Sequence, residues 1–172
     1  SRWDRRMAAE LIRRHRVGRW RSISTMAIDL VNDPDFDRYD LSSLTAIGGG
    51  GAAMPEPVAR RLKEMTGLDY IEGYGLSETM AATHLNPPDR PKRRCLGVPI
   101  FGVDSRIVDP VTLEELPVGE TGEIVSAGPQ VFLGYWNDPA ATAAAFIEID
   151  GKRFLRTGDI GARDAEGYFF IT

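Results

Sequence analysis

Apolar and polar positions follow two different rhythms along this chain. In the first 80 residues the spacing alternates between helical faces and short apolar runs bounded by turn residues. Trp3, Met7, Leu11, Ile12 and His15 fall close to helical spacing, with arginines on the other faces. This predicts an amphipathic helix that Gly18 ends. Arg19 to Ile23 reads as a strand, and Ser24 or Thr25 suits the cap of a short helix reaching Leu30. Asn32 to Asp35 is a loop, and Asp40 to Leu44 a turn feeding a strand at Thr45 to Ile47. That strand runs into Gly48-Gly49-Gly50-Gly51-Ala52-Ala53-Met54-Pro55. Pro55 and Glu56 then open a helix through Met65, closed by Gly67. Asp69-Tyr70-Ile71 reads as a short buried strand. Helix and strand thus alternate three times, which predicts a parallel sheet covered by helices.

The rhythm changes after Asn86-Pro87-Pro88-Asp89-Arg90-Pro91, a polar, proline-rich boundary. Beyond it the pattern predicts short strands at Val103 to Val108, Glu123 to Ala127, Phe154 to Arg156 and Tyr168 to Ile171. Asp109-Pro110 and Pro117 to Gly122 are turns between them. One helix interrupts the series, from Asp138 as its cap, through Pro139 in its first turn, to Phe146. Short strands at this spacing predict a small barrel or curled sheet. The expected fold is therefore α/β: a parallel α/β subdomain over residues 1–88, followed by a small β-barrel-like subdomain over residues 89–172.

Composition narrows the class. The chain has 172 residues, 42% hydrophobic and 27% charged, a balance suited to a soluble globular domain. No apolar run approaches the length needed to span a membrane, and no signal peptide opens the chain. A single cysteine, Cys95, excludes an internal disulfide and fits a reducing, cytoplasmic setting. No Cys or His neighbours it at ligand spacing, so a structural zinc site is not expected. The net charge of −4 is unevenly spread. Eight arginines within residues 1–21 stand against Asp4 and Glu10, leaving −10 on the other 151 residues. A solvated helix face accounts for the basic start better than nucleic-acid binding does. His15, alone on its helix, suits packing or surface better than catalysis. Ser1 is not an initiator methionine, and Gly167 to Thr172 reads as a strand that stops without a turn, so a piece of a longer protein is expected.

Three stretches hold candidate chemistry. In Tyr70-Ile71-Glu72-Gly73-Tyr74-Gly75-Leu76-Ser77-Glu78-Thr79, two glycines allow close ligand approach. The hydroxyls of Ser77 and Thr79 suit a phosphate, and the Glu78 carboxylate suits the magnesium that accompanies it. The same residues also suit a helix cap with a glutamate in the first turn. The glycine run at Gly48–Gly51, between a strand and a helix, suits a nucleotide or a plain tight turn. It lacks the lysine of a phosphate-binding loop and the spacing of a dinucleotide fold. Both stretches lie at carboxyl ends of expected parallel strands, where such sheets bind ligands. In Arg156-Thr157-Gly158-Asp159-Ile160-Gly161, the aspartate suits a ribose diol, or the residues form an Asp–Gly turn.

Together these blocks resemble the adenylate-forming enzymes: acyl-CoA synthetases, luciferase and the adenylation domains of peptide synthetases. Gly49 to Met54 resembles the loop lining the adenine pocket, with Ala53 where the family often has proline. Tyr74-Gly75-Leu76-Ser77-Glu78 resembles its tyrosine–glycine–x–threonine–glutamate block, with serine in the threonine position. Gly119-Glu120-Thr121-Gly122-Glu123, Gly128 to Trp136, and Arg156-Thr157-Gly158-Asp159 resemble three further blocks, in order. The resemblance is closest to the fatty acyl-CoA ligases. It implies nucleotide contacts at Gly50, Gly51, Ala52, Ala53, Glu72, Gly73, Tyr74, Gly75, Ser77 and Asp159. Tyr74 would stack on adenine, and Asp159 would bind the ribose hydroxyls. Ser77 would contact the adenylate phosphate and, with Glu78, serve catalysis. Glu78 would hold magnesium.

The implied reaction joins a carboxylic acid, expected to be a long- or medium-chain fatty acid, to ATP as an acyl-adenylate. Coenzyme A then takes the acyl group. A peptide-synthetase adenylation domain and a non-catalytic nucleotide-binding module are the alternatives. The family's phosphate loop and its catalytic-lysine domain have no counterpart in these residues, so the chain is not expected to catalyse either half-reaction alone. The side-chain-free Gly48–Gly51 run would leave room for a bulky acyl group.

Overall fold

The computed structural model describes every residue except Ser1, Ala52, Ala53 and Arg93. The expectations for Ala52 and Ala53 therefore lie outside the described residues. The chain forms two compact units, Ser1–Gly73 and Tyr74–Thr172.

The first unit is α/β. It runs α1 (Arg5–His15), β1 (Arg19–Ile23), α2 (Ser24–Val31), β2 (Ala46–Gly50), α3 (Glu56–Thr66) and β3 (Tyr70–Tyr74, whose last residue belongs to the second unit). The three strands are parallel, with Trp20 opposite Ile47 and Ile47 opposite Tyr70. Parallel neighbours need a crossover, and α2 and α3 lie on the two crossovers. Ala9, Ile12, Ala27, Leu30, Leu44, Ile47 and Leu62 form the buried core.

Local chemistry moves several boundaries. Asp4 caps α1 by accepting from Met7 N at 2.9 Å. The helix ends on Arg16 in the left-handed region, not on Gly18, and Val17 N returns to Ile12 O at 3.0 Å. Gly18 serves instead as an acceptor, its carbonyl taking the Thr45 and Ala46 amides. The buried stripe of α1 is Ala9 and Ile12, while Met7 is 57% and Leu11 43% exposed. Three arginines of the basic start are committed within the unit. Arg5 pairs with Asp29 and Asp33, Arg6 with Asp33 and Asp35, and Arg13 with Glu10. In α2, Ser24 is already helical and buried, and Ile23 stands at the cap with no side-chain bond. Gly67 closes α3 with φ +73°, as expected.

The second unit is mainly antiparallel. β4 (His84–Leu85) pairs with β5 (Val98–Pro99). A curled sheet follows, ordered β10 (Phe169–Ile171), β9 (Lys152–Arg163), β7 (Thr121–Ala127) and β6 (Asp104–Val108). β8 (Phe146–Ile149) also pairs with β9. One core cluster of this sheet is Val108, Val125, Ala127 and Phe154; another is Ile107, Ile124 and Phe169. α4 (Pro139–Ala144) starts where expected, with Asp138 accepting from Ala141 N at 2.8 Å. It stops before Phe146, which opens β8. Among the described residues no helix is long and apolar enough to cross a membrane.

Candidate functional site

In the first unit the glycine run is a strand rather than a loop. Gly48, Gly49 and Gly50 belong to β2 between β1 and β3. A Cβ on Gly48 would meet the Ile71 carbonyl, and one on Gly50 would lie 2.5 Å from the Gly73 carbonyl oxygen. A Cβ on Gly49 would run into the Ser22 carbonyl and come within 2.5 Å of Tyr70 Oη, which reaches across to Ser22. The space expected for an acyl group beside these three residues is thus filled by neighbouring strands. Gly51 follows at φ +89°. Glu72 Oε1 accepts from Met54 N at 2.6 Å. The carboxyl ends of β2 and β3 lie side by side, as the parallel reading requires.

The second unit gathers the remaining candidates. Leu76 leads into a single turn of 3₁₀ helix at Ser77–Thr79. Thr79 is fully buried; its Oγ1 accepts the Leu76 amide at 2.9 Å and donates to Ala81 O at 2.8 Å. Thr79 therefore shapes the turn, and of the two hydroxyls weighed for phosphate only Ser77 is exposed. Among the described residues Ser77 Oγ has no hydrogen-bond partner. Gly75 is required by the returning chain, since a Cβ there would lie 2.5 Å from Ala81 O.

Glu78 is held from the 128–136 stretch. Tyr135 Oη donates to its Oε1 at 2.9 Å, and Phe132 N donates to its carbonyl at 2.7 Å. Phe132 in turn packs edge-on to Tyr135 and stacks on Phe146. The bond to Glu78 is the main reason that the Tyr135 phenol is pushed above its ordinary value. Among the described residues no cluster of three or more metal-ligating side chains occurs. A lone carboxylate fits magnesium, which keeps most of its waters and shares phosphate oxygens, better than an all-protein cage.

Asp159 lies within β9, a strand far longer than the three residues expected there. Opposite β7, Glu123 faces Ile160 but Val125 faces Arg156, so Thr157, Gly158 and Asp159 oppose Ile124 alone. Such a bulge re-aims side chains. Gly158 takes φ +75° at its centre. Thr157 Oγ1 donates to Ile124 O at 2.7 Å and accepts Asp159 N at 3.1 Å. The outcome is a contact across 85 residues of sequence: Tyr74 Oη donates to Asp159 Oδ2 at 2.5 Å. Burial first, and this bond second, push the Tyr74 phenol well above its ordinary range.

The Tyr74 ring also leans on His84, centroid distance 5.6 Å, and His84 on Phe169 at 4.6 Å. His84 is fully buried. Its Nδ1 bonds Thr83 Oγ1 at 2.9 Å, and its Nε2 has no partner among the described residues. Burial lowers its pKa to about 4. Sequence reasoning passes over His84, which sits at no recognisable ligand spacing, and places Tyr135 in the Gly128–Trp136 block without assigning it a role.

The sequence profile of AMP-binding enzymes matches residues 1–136. The chain belongs to the AMP-binding enzyme family. This AMP-binding chain is 39% identical over 163 residues to a long-chain-fatty-acid–CoA ligase of Bacillus subtilis (strain 168), covering 94% of the chain and 28% of the relative. A ligase of the same name from Escherichia coli O6:H1 is 37% identical over 150 residues, 87% of the chain and 26% of the relative. The chain therefore spans less than a third of these curated relatives. Among solved structures, a long-chain-fatty-acid–CoA ligase from Archaeoglobus fulgidus superposes with TM-score 0.91 at 27% identity, covering 99% of the chain and 36% of that protein. ATP-bound MatB from Rhodopseudomonas palustris gives 0.87 at 30% identity, over 99% of the chain and 33% of its own length.

Proposed function

We propose that this AMP-binding chain contributes the adenylate pocket of an ATP-dependent carboxylate–CoA ligase whose carboxylic acid is a fatty acid. The observation that carries the reading is the Tyr74–Asp159 hydrogen bond, which unites two motifs far apart in sequence in one polar corner. The names of the bacterial relatives support the fatty-acid assignment.

In this reading Asp159 accepts the ribose hydroxyls, with Tyr74 Oη fixing one carboxylate oxygen and leaving Oδ1 to the ligand. The Tyr74 ring offers an aromatic face for adenine. The Ser77 hydroxyl, free of internal bonds, donates to the adenylate phosphate. Glu78, oriented by Tyr135, holds magnesium, whose charge stabilises that developing on the phosphates. Gly50, Gly51, Glu72 and Gly73 of the first unit are read, from the family resemblance, as nucleotide contacts made through their backbone, and Glu72 Oε1 accepts from Met54 N within that unit. The residues position and neutralise while the carboxylate attacks the α-phosphate of ATP and pyrophosphate leaves; the thiol of coenzyme A then takes the acyl group and AMP leaves.

The test is calorimetric titration of the protein expressed from its complete gene with a non-hydrolysable acyl-adenylate analogue. Asp159→Ala should weaken binding by about 1–3 kcal/mol, the cost of a lost charged hydrogen-bond acceptor. Unaltered affinity in the variant would remove Asp159 from the site.

A further inference from the structure

β7 is a buried strand that carries one carboxylate. Glu123 is 3% exposed, and a carboxylate so buried is tolerated only when it is paired and its remaining lone pairs are used. All of its side-chain partners come from β9, at and beside its bulge. Arg156 Nη2 and Nε donate to Oε2 at 2.6 and 3.0 Å, and Gly158 N donates to Oε1 at 3.1 Å. Arg156 Nη2 also reaches Pro110 O at 3.3 Å. The two oxygens of one side chain therefore grip the residue before the bulge and the residue at its centre. Gly158 is the residue immediately before Asp159. Its φ of +75° places its N–H toward β7, and Asp159 N is fixed separately by Thr157 Oγ1.

We propose that Glu123 is a positioning residue for Asp159. It acts through Arg156 and the Gly158 amide, holding the Arg156–Asp159 bulge in the shape that aims the Asp159 carboxylate at its diol. The proposal rests on the reading of Asp159 as the ribose ligand. It gives a physical task to the acidic residue closing the Gly119–Glu123 block: that residue answers the arginine of the Arg156–Asp159 block. The two motifs form one unit, with the carboxylate of one strand shaping the backbone of the other.

The experiment compares wild type, Glu123→Gln and Asp159→Asn in the protein expressed from its complete gene. Amide exchange at Gly158 and Asp159 is followed by NMR, and KM is measured for ATP and for 2′-deoxy-ATP. Glu123→Gln should speed exchange at Gly158 and Asp159 about tenfold while Ile107 and Val125 stay protected. It should raise KM for ATP about tenfold, the scale of one lost charge-assisted bond. It should also shrink the preference for ATP over 2′-deoxy-ATP toward that of Asp159→Asn, which a merely destabilised protein would not do. Unchanged exchange at the two amides overturns the proposal. So does a wild-type preference in Glu123→Gln when Asp159→Asn has lost it. If Asp159→Asn itself keeps the preference, the ribose reading falls and the positioning role falls with it. Should Glu123→Gln fail to fold, Arg156→Lys keeps the countercharge and removes one of the two donors; it should give the same pattern, weaker, and a wild-type pattern there overturns the proposal.

Discussion

Two glycine-bearing stretches, Gly48–Gly50 on β2 and Thr157–Asp159 on β9, are held by opposite forces. On β2 the glycines are demanded by sterics, because neighbouring backbone occupies the space where side chains would stand. On β9 a Cβ at Gly158 would meet nothing within 4 Å. There the demand is conformational, and the shape is set by polar bonds from Glu123 and Thr157. A glycine therefore says that the backbone is special without saying how. The polar neighbours decide which meaning applies, and only the second arrangement leaves a functional group aimed and accessible.

The contrast can be broken in order of effect. Gly49→Ala should be the most damaging change, at about 3 kcal/mol or more, because the methyl meets a carbonyl that cannot move without breaking strand pairing. A urea midpoint close to wild type would remove the steric account. The polar side should respond to acid, through the His84 ring that supports Tyr74. An unfolded histidine protonates near 6.5 and this buried one only near 4. Between those values the unfolded chain binds more protons, so stability falls as pH drops, by about 3 kcal/mol across the window. Urea unfolding from pH 7 to 4 measures it, and His84→Phe should flatten that segment of the curve. Gly158→Ala should cost about 1–2 kcal/mol, the penalty of a left-handed backbone alone. A loss as large as that of Gly49→Ala would mean that hidden contacts exist there. Tyr74→Phe should be mildest, about 1 kcal/mol of stability for one hydrogen bond, read from thermal unfolding.

Much of the architecture was legible. Helical spacing located α1 and α3, and short β-rich runs bounded by turn residues located β1, β3, β6 and β7, the last of them buried along almost its whole length. Extents were harder. β2 runs on through glycines that have no β propensity of their own, held there by strands on both sides. β9 runs through an apparent turn because a bulge lets a strand contain one. Asp150-Gly151, at φ +52° and +71°, forms the tight turn between β8 and β9; it is a strong hairpin signal that goes unread when Phe146 is assigned to the preceding helix. Of the candidate site, the motif residues could be named from their order. Thr79 could not be told from Ser77 by type, since only the turn's closure decides which hydroxyl is buried. Glu123 reads as the first residue of a strand and the last of a motif block, and its pairing with Arg156 depends on register.

β9 is paired with β7 along one edge and, on the other, with β8 and then β10. Asp159 sits between these two anchorages, so a register slip would have to undo hairpins on both sides of it at once. Length changes confined to the Asp150-Gly151 tip are absorbed before the first anchorage. Evolution, or an engineer, is thus free to rework that tip while the carboxylate keeps its address.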